Sequence, residues 1–590
     1  MTAYAPPLDD LRFLLSHVVD LTAALGTTDS GAEADDVLAA LEEAGRLAAD
    51  VIAPLNSVGD RHPPRIENGQ VFTSPGWREA YRQFIDGGWN GIAGPNDHGG
   101  MGLPMVAAAA AQELWQSASM AFALCPMLTQ AGIELLHAKG TEAQKTRYLD
   151  KLTSGEWTGT MLLTEPQAGS DVGALRTRAV RENGHYRLFG QKIYITYGDH
   201  DMTDNVIHMI LARVEGAPPG IKGISLFVSP KILVNEDGSL GQRNDCRPVN
   251  LEHKLGIHGS PTCVMAFGDQ EGAYAELIGE ENRGIEYMFL MMNNARLNVG
   301  IQGVGVAERA YQHARHYART RVQSKVVGRK QDGLAIIHHP DVTRMLAVAK
   351  ARIQAARALY LEAATLLDLA RTGTPSAATR ADLLIPVVKA WSTDLGVDVA
   401  SMGIQVHGGM GFVEETGAAQ HYRDARIAPI YEGTNGIQAN DLVARKVARD
   451  GGAAMGSLLE EITGLAGRLI DQPGDDLPII GEALATGARA LGEATDWVVT
   501  TFDSDPRAVL AGAVAFLDLV GTVVGGWMMG RAALAAQGLL AERQGDPQFA
   551  EAKIILARVY AEQVLVRADT LARTVTEGGR VLAELDEAIL

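Results

Sequence analysis

The hydrophobic period of this chain changes twice, and that limits its fold more than any other feature. From residue 36 to Trp157 apolar residues recur at helical spacing; near Thr158 the spacing becomes that of strands; from Gly284 it is helical again and stays so. Strands set between blocks of helices predict an α+β protein, mostly α, with the sheet in a domain of its own.

The segments divide accordingly. A short arm, 1–35, carries its own apolar cluster of Leu11, Phe13, Leu14 and Leu15. Residues 36–157 read as a helical domain: VLAALEEAGRLAADVIAPLN has a helical stripe, AQKTRYLDKL a capped and exposed one, and the Gly/Pro loop Gly94 to Pro104 lies between them. In 158–282 the runs MLLTEP, HYRLFGQKIYITYG, VIHMILARV, ISLFVSP and TCVMAFG are split by Gly, Asn, Asp and Pro, which predicts an antiparallel β-domain. KILVNEDGSLGQRNDCRPVN reads as a polar excursion within it. Long helical stretches joined by short loops over 283–450 predict an antiparallel bundle, with Pro386 kinking one helix or marking its first turn and a further helix starting after Thr434. A Gly-rich break, Gly451 to Gly456, opens an Ala-rich helical extension, 451–590.

Composition removes some classes of function. Hydrophobic residues are 46% and charged residues 21%, as in soluble globular proteins, and the net charge is -19 with no Lys/Arg-rich block, so a nucleic-acid partner is not expected. The segment 451–590 holds ten Lys or Arg against twenty Asp or Glu, a surface poorly suited to anionic membranes. No uncharged apolar run reaches spanning length, and MTAYAPPLDDLRFLL has acids where a signal peptide needs Lys or Arg. Cys125, Cys246 and Cys263 show neither metal-ligand spacing nor a disulfide framework. These features predict a cytoplasmic protein without a metal site.

Chemistry concentrates in three motifs. TEPQAGSD, Thr164 to Asp171, is a turn of small and hydroxyl residues able to hold a polar cofactor by its backbone. QVHGGMGF, Gln405 to Phe412, brings glycines that let backbone N–H groups approach a phosphate. YEGTN, Tyr431 to Asn435, offers one carboxylate, Glu432, between an aromatic and a glycine. Any one of these is an ordinary turn or helix end; the three in this order resemble the acyl-CoA dehydrogenases, over roughly residues 35 to 450. Those flavoenzymes place a C2=C3 double bond in an acyl thioester: a base takes the α-proton and N5 of FAD accepts the β-hydride. A free carboxylate, with a pKa of about 4.3, is far too weak a base for that proton. The site must therefore stabilise the enolate oxygen and raise the carboxylate pKa by desolvation.

The resemblance implies roles residue by residue. Glu432 matches the base, whose own N–H helps hold the thioester oxygen; Tyr431 matches an apolar wall, and Gly433 gives the backbone room beside the substrate. Leu163, Thr164, Gly169 and Ser170 match the flavin-side loop, with Ser170 also near the acyl-CoA. Tyr194 and Thr196, in KIYITYG, match an aromatic-x-Thr beside the flavin, where many relatives carry Trp in place of Tyr194. Arg321 and Gln323 match the pair that reaches the flavin pyrophosphate of the partner subunit, where Arg pairs bidentately with phosphate. Gln405, Gly408 and Gly409 match the approach to the adenosine part, again across the subunit boundary, and Thr434 completes the flavin contacts. Arg296 resembles the arginine that orients the active site or the CoA chain. Two positions depart from the pattern: Leu162 is larger than usual, and Gln420 stands where a basic residue is expected. GVGVAE, Gly303 to Glu308, follows no strand and is no dinucleotide loop. His407 and His253 read as hydrogen-bonded structure.

The arm and the extension are foreign to the short dehydrogenases. TEPQAGSDVGALRTRA, KLGIHGSPTC and ETGAAQHYRDARIAPIYEGTNGIQ resemble the bacterial branch that holds 3-methylmercaptopropionyl-CoA dehydrogenases and long-chain relatives. The resemblance implies FAD as cofactor, an acyl-CoA substrate (3-(methylthio)propanoyl-CoA or another short or medium chain), electron-transferring flavoprotein as acceptor, and a homodimer at least. The acyl chain is expected to end near SMAFALCPM, Ser119 to Met127. Two rivals remain at this stage: an acyl-CoA oxidase of the same fold, and a flavin-free helical interaction protein.

Overall fold

A computed structural model describes residues 2–589. The chain forms two compact units, one of residues 28–298 and one that joins the arm, up to Thr27, to everything from Val299 onward. The arm carries the helix α1 (Leu8–His17), whose Leu11, Phe13, Leu14 and Leu15 are buried.

In the unit 28–298, α2 (Met105–Ala118) and α3 (Met120–Lys139) are buried over almost their whole length. Ser119 caps α3 by accepting from the Phe122 N–H. The expected chain-end segment is the start of α3, and its Phe122 stands edge-on to Trp77 at 6.1 Å. Among the described residues the strands are β1 (Arg65–Glu67), β2 (Gln70–Phe72), β3 (Thr158–Leu162), β4 (Arg178–Glu182), β5 (His185–Thr196), β6 (Val206–Val214), β7 (Ile224–Pro230), β8 (Ile232–Val234), β9 (Leu240–Arg243), β10 (Cys246–Leu251), β11 (Thr262–Phe267) and β12 (Ala273–Leu277).

The main sheet is antiparallel as expected, except at two of its strand pairs. β4, β5, β12, β7 and β6 pair in turn, and β6 returns to β4, so these strands close on themselves; β3 adds to β6, and β11 with β10 to β5. The β3–β6 and β4–β6 pairs are parallel. Parallel neighbours need long connections, and the chain from β3 to β6 passes through the TEPQAGSD loop, β4 and β5. β6 is buried on both faces: Ile207, Met209 and Leu211 join one apolar cluster with Leu135, Leu136 and Tyr148, while Ile210, Ala212 and Val214 join another inside the strands. The polar excursion is itself a hairpin, β8–β9, running into β10.

In the second unit the long helices are α4 (Gly284–Thr320, whose start belongs to the first unit), α5 (Pro340–Arg371) and α6 (Pro375–His407), with the short α7 (Asn435–Asp441) after the YEGTN loop. Pro386 lies inside α6 rather than in its first turn. The glycines of GVGVAE mark a helix crossing: a Cβ on Gly303 would stand 2.1 Å from the Ser392 carbonyl oxygen of α6. The extension contains α8 (Ala513–Glu542) and α9 (Pro547–Gln563). α8 is long and apolar enough to cross a membrane by length and composition, but 83% of its apolar window is buried in the protein, as a core helix would be.

Candidate active site

The TEPQAGSD loop is held from within by its own acid. Glu165 is buried and accepts from the N–H of Arg176 (2.6 Å), the N–H (3.0 Å) and hydroxyl (2.6 Å) of Thr177, Gln167 Nε2 (2.7 Å) and Lys192 Nζ (2.8 Å). Burial raises its pKa, but Lys192 and these donors outweigh that and hold it down at about 2. Burial brings the Lys192 ammonium down to about 8, offset in part by Glu165. Lys192 also donates to the Leu163 carbonyl at 2.9 Å, and the Ile193 N–H to the Thr164 carbonyl at 3.0 Å. Glu165 and Ala168 exchange both backbone hydrogen bonds at 3.0 Å, closing the turn.

These bonds hold Leu163 and Thr164 against Lys192 and Ile193 of β5, the strand that carries Tyr194 and Thr196, and Gly169 and Ser170 follow on the same loop. Thr196 is half-buried and pairs with Thr262 of β11, whereas Tyr194 is 60% exposed and has φ 60°. A bulky side chain in the left-handed region is an outlier that its surroundings must enforce. Gly169 and Ser170 are exposed, with no atom within 4 Å of where a Cβ on Gly169 would stand. Arg296 is buried near the start of α4, its guanidinium 6.0 Å from the Phe289 ring.

In the other unit, Arg321 donates to the side chain of Gln323 at 3.2 Å, just past the end of α4. Gln405, Gly408 and Gly409 are exposed at the end of α6. Tyr317 and His407 stack at 4.5 Å and join these two helix ends, and the Arg321 N–H bonds back to the Tyr317 carbonyl at 2.9 Å. The His407 Nδ1 pairs with the Gly403 carbonyl at 2.7 Å, and burial lowers its pKa, so this ring is neutral structure. A Cβ on Gly408 or Gly409 would meet nothing within 4 Å, which leaves an open backbone platform beside Arg321.

The YEGT residues stand before a helix, and Asn435 begins it. Thr434 is the N-cap of α7, accepting from the Ile437 N–H, and Glu432 precedes it with φ 56°. Two side chains and one backbone bond pin the loop: Gln438 Nε2 donates to the Glu432 carbonyl (3.1 Å), Lys389 Nζ to the Gly433 carbonyl (2.8 Å), and the backbone Asn435 N–H to the Pro429 carbonyl (3.0 Å). Tyr431 donates its hydroxyl to Gln302; burial, then the Glu432 carboxylate, hold its pKa well above the ordinary phenol value. Gly433 is required by geometry of this chain's own making: its φ is 80°, and a Cβ would stand 2.7 Å from Gln438 Nε2.

Reading by motif passed over Glu165, Lys192, Lys389 and Gln438. The alternation of β5 could have placed Lys192 between its outward neighbours Gln191 and Ile193, on the inner face. Nothing local marks Lys389, one lysine in a long helix.

Four family models match the chain in succession: the acyl-CoA dehydrogenase N-terminal domain over 35–156, the middle domain over 160–270, the C-terminal domain over 282–447, and an acetyl-CoA dehydrogenase C-terminal like domain over 458–586. The 3-methylmercaptopropionyl-CoA dehydrogenase of Ruegeria pomeroyi is 48% identical over 583 residues, covering 98% of each protein. Two solved structures share the fold: Caenorhabditis elegans ACDH-11 in complex with C11-CoA, with a TM-score of 0.77 at 22% identity over 96% of this chain and 93% of that one, and an acyl-CoA dehydrogenase of Bacillus anthracis complexed with FAD, with a TM-score of 0.73 at 20% identity over 98% and 92%. With its N-terminal, middle and C-terminal domain models in order and a relative nearly half identical from end to end, the chain belongs to the acyl-CoA dehydrogenase family.

Proposed function

We propose that this acyl-CoA dehydrogenase desaturates 3-(methylthio)propanoyl-CoA, or another short or medium acyl-CoA, between C2 and C3, with Glu432 as the base. One observation carries the base: Glu432 stands outside α7 in the left-handed region, on a loop whose carbonyls are already bonded by side chains, so its carboxylate is presented from a fixed backbone. The identity of 48% over nearly the full length to a protein named for the methylthio thioester supports the substrate.

FAD is the cofactor, and when bound it supplies the acceptor for the β-hydride. The residues present suit it: a turn with open glycine and hydroxyl positions, an exposed aromatic at Tyr194, and an open Gly408–Gly409 platform beside Arg321. Leu163, Thr164, Gly169, Ser170, Tyr194, Thr196 and Thr434 would hold the flavin ring. Arg321, Gln323, Gln405, Gly408 and Gly409 would hold the pyrophosphate and adenosine parts of the cofactor in the partner subunit, as a homodimer. Ser170, Arg296, Tyr431 and Gly433 would line the thioester. Bound substrate excludes water from Glu432 and so raises its basicity, while the Glu432 N–H stabilises charge on the thioester oxygen. Electrons then leave to electron-transferring flavoprotein in the cytoplasm. The domain divisions drawn from the sequence belong to the same reading.

The test is an anaerobic visible spectrum with a panel of acyl-CoAs. Bleaching of the flavin fastest by the methylthio substrate, and retention of flavin without bleaching in Glu432→Gln, are the expected results. Bleaching of that variant at the wild-type rate would remove Glu432 from the role, and peroxide release in air would replace the flavoprotein acceptor with dioxygen.

A further inference from the structure

We propose that Lys389, on α6, is a positioning residue for the catalytic loop: its ammonium clamps the loop from behind and sets where the Glu432 carboxylate stands. The proposal rests on Glu432 being the base.

Lys389 is fully buried, and its Nζ donates to the Gly433 carbonyl at 2.8 Å and to Asn435 Oδ1 at 2.9 Å. The Asn435 amide donates in turn to the Ala390 carbonyl (3.1 Å), the Thr393 hydroxyl (3.0 Å) and Asp394 Oδ1 (2.8 Å). Thus Gly433 and Asn435, two of the three residues after Glu432 in YEGTN, are both tied to one turn of α6. A charge-assisted donor is the strongest way to fix a carbonyl, and fixing the Gly433 carbonyl orients the peptide that follows the base.

That turn of α6 cannot shift easily. On one side α4 approaches so closely that a Cβ on Gly300 would stand 2.6 Å from Val388 atoms and one on Gly303 2.1 Å from the Ser392 carbonyl oxygen. On the other side the Trp391 ring lies over Gly521 of α8, where a Cβ would stand 2.4 Å from it, and its far edge reaches Gly525. Asn435, Asp394 and Trp391 also line a cleft of about 150 Å³ together with Leu517 and Asp518 of α8. The extension beyond residue 450 therefore backs the helix that carries Lys389, which gives it a part in catalysis without contact with substrate.

The test uses the full-length holoenzyme and anaerobic stopped-flow reduction by acyl-CoA. Lys389→Met should keep its flavin and bind acyl-CoA within about twofold of wild type, while the reduction rate per bound flavin falls about tenfold to a hundredfold, as for a displaced reacting group. Lys389→Arg, which keeps a donor, should recover part of that rate. A purely structural lysine predicts loss of flavin and melting temperature with an unchanged rate per bound flavin, and that result overturns the proposal. Should Lys389→Met fail to fold, Asn435→Ala decides: a several-fold slower rate per flavin supports the clamp, and an unchanged rate overturns it. Glu432→Gln separates the two readings. If that variant still bleaches, the base is wrong; if it is inert while Lys389→Met reduces normally, only the clamp is wrong.

Discussion

Removing the charge of Glu165 would strand the Lys192 ammonium inside the β-strands. Breaking one side of a buried pair costs about 3–5 kcal/mol, so Glu165→Gln should unfold at clearly lower urea and release its flavin first. The pair also sets an acid limb. With the Glu165 pKa held at about 2, below its ordinary 4.5, the folded state binds fewer protons than the unfolded one in that interval. Its contribution is complete above about pH 4.5 and fades as the pH falls toward 2. Flavin fluorescence across that range should show a limb that Glu165→Gln lacks. Tyr194 makes the opposite prediction. Its left-handed backbone costs about 1 kcal/mol, so Tyr194→Gly should leave the apoprotein as stable or slightly more so while weakening flavin binding; a less stable apoprotein with normal flavin affinity would contradict it. The motif residues were legible because they lie close together along the chain. Lys389 was not, since in a long helix a buried lysine looks like a surface one, and only the distant Gly433 carbonyl shows the difference; for Lys192 the strand alternation was the one signal, and its Glu165 partner was not visible.

Among elements, α8 packs closely against the helix that carries Lys389. Its Gly521 and Gly525 admit the Trp391 ring, so Gly521→Val forces that ring or the helix to move. Overpacking of this kind costs about 1–3 kcal/mol, and a fall in melting temperature with the secondary structure intact would report it. The helices were legible from their period, because each buries a stripe on its own. The β1–β2 hairpin was legible and passed over: Asn68 and Gly69 both have positive φ, the signature of an Asn-Gly turn, inside a stretch read as helix. The parallel pairing of β3 and β4 with β6 was not legible, since it depends on where long connections lead rather than on any local pattern.

At the scale of the molecule, the arm is tied to the bundle and to the extension by one carboxylate. Asp10 receives Lys350 Nζ at 2.8 Å, Lys553 Nζ at 2.6 Å, Gln354 Nε2 at 3.2 Å and Arg357 Nη1 at 3.4 Å, and Phe13 meets Phe549 at 5.8 Å. Burial raises the Asp10 pKa, and Lys553, Lys350 and Arg357 more than reverse that, holding it far below the carboxylate range. Asp10→Asn would leave these cations facing a neutral amide, at about 3–5 kcal/mol. Limited proteolysis should then cut the arm before any other segment; an arm as resistant as in wild type would refute the tie. The family resemblance left the arm and the extension without roles, because a carboxylate in LDDLRFLL gives no sign of cations hundreds of residues away.

The same tie sets an order of events during synthesis. Lys553 follows Asp10 by 543 residues. At ribosomal speeds of about 5–20 residues per second, roughly half a minute to two minutes pass between the emergence of the two. Through that interval the apolar face of α1, with Leu11, Phe13 and Leu14, waits in the cell without its last docking partner, a natural client for a chaperone on the nascent chain. The arm's tie to the extension therefore closes only after both ends of it have been made.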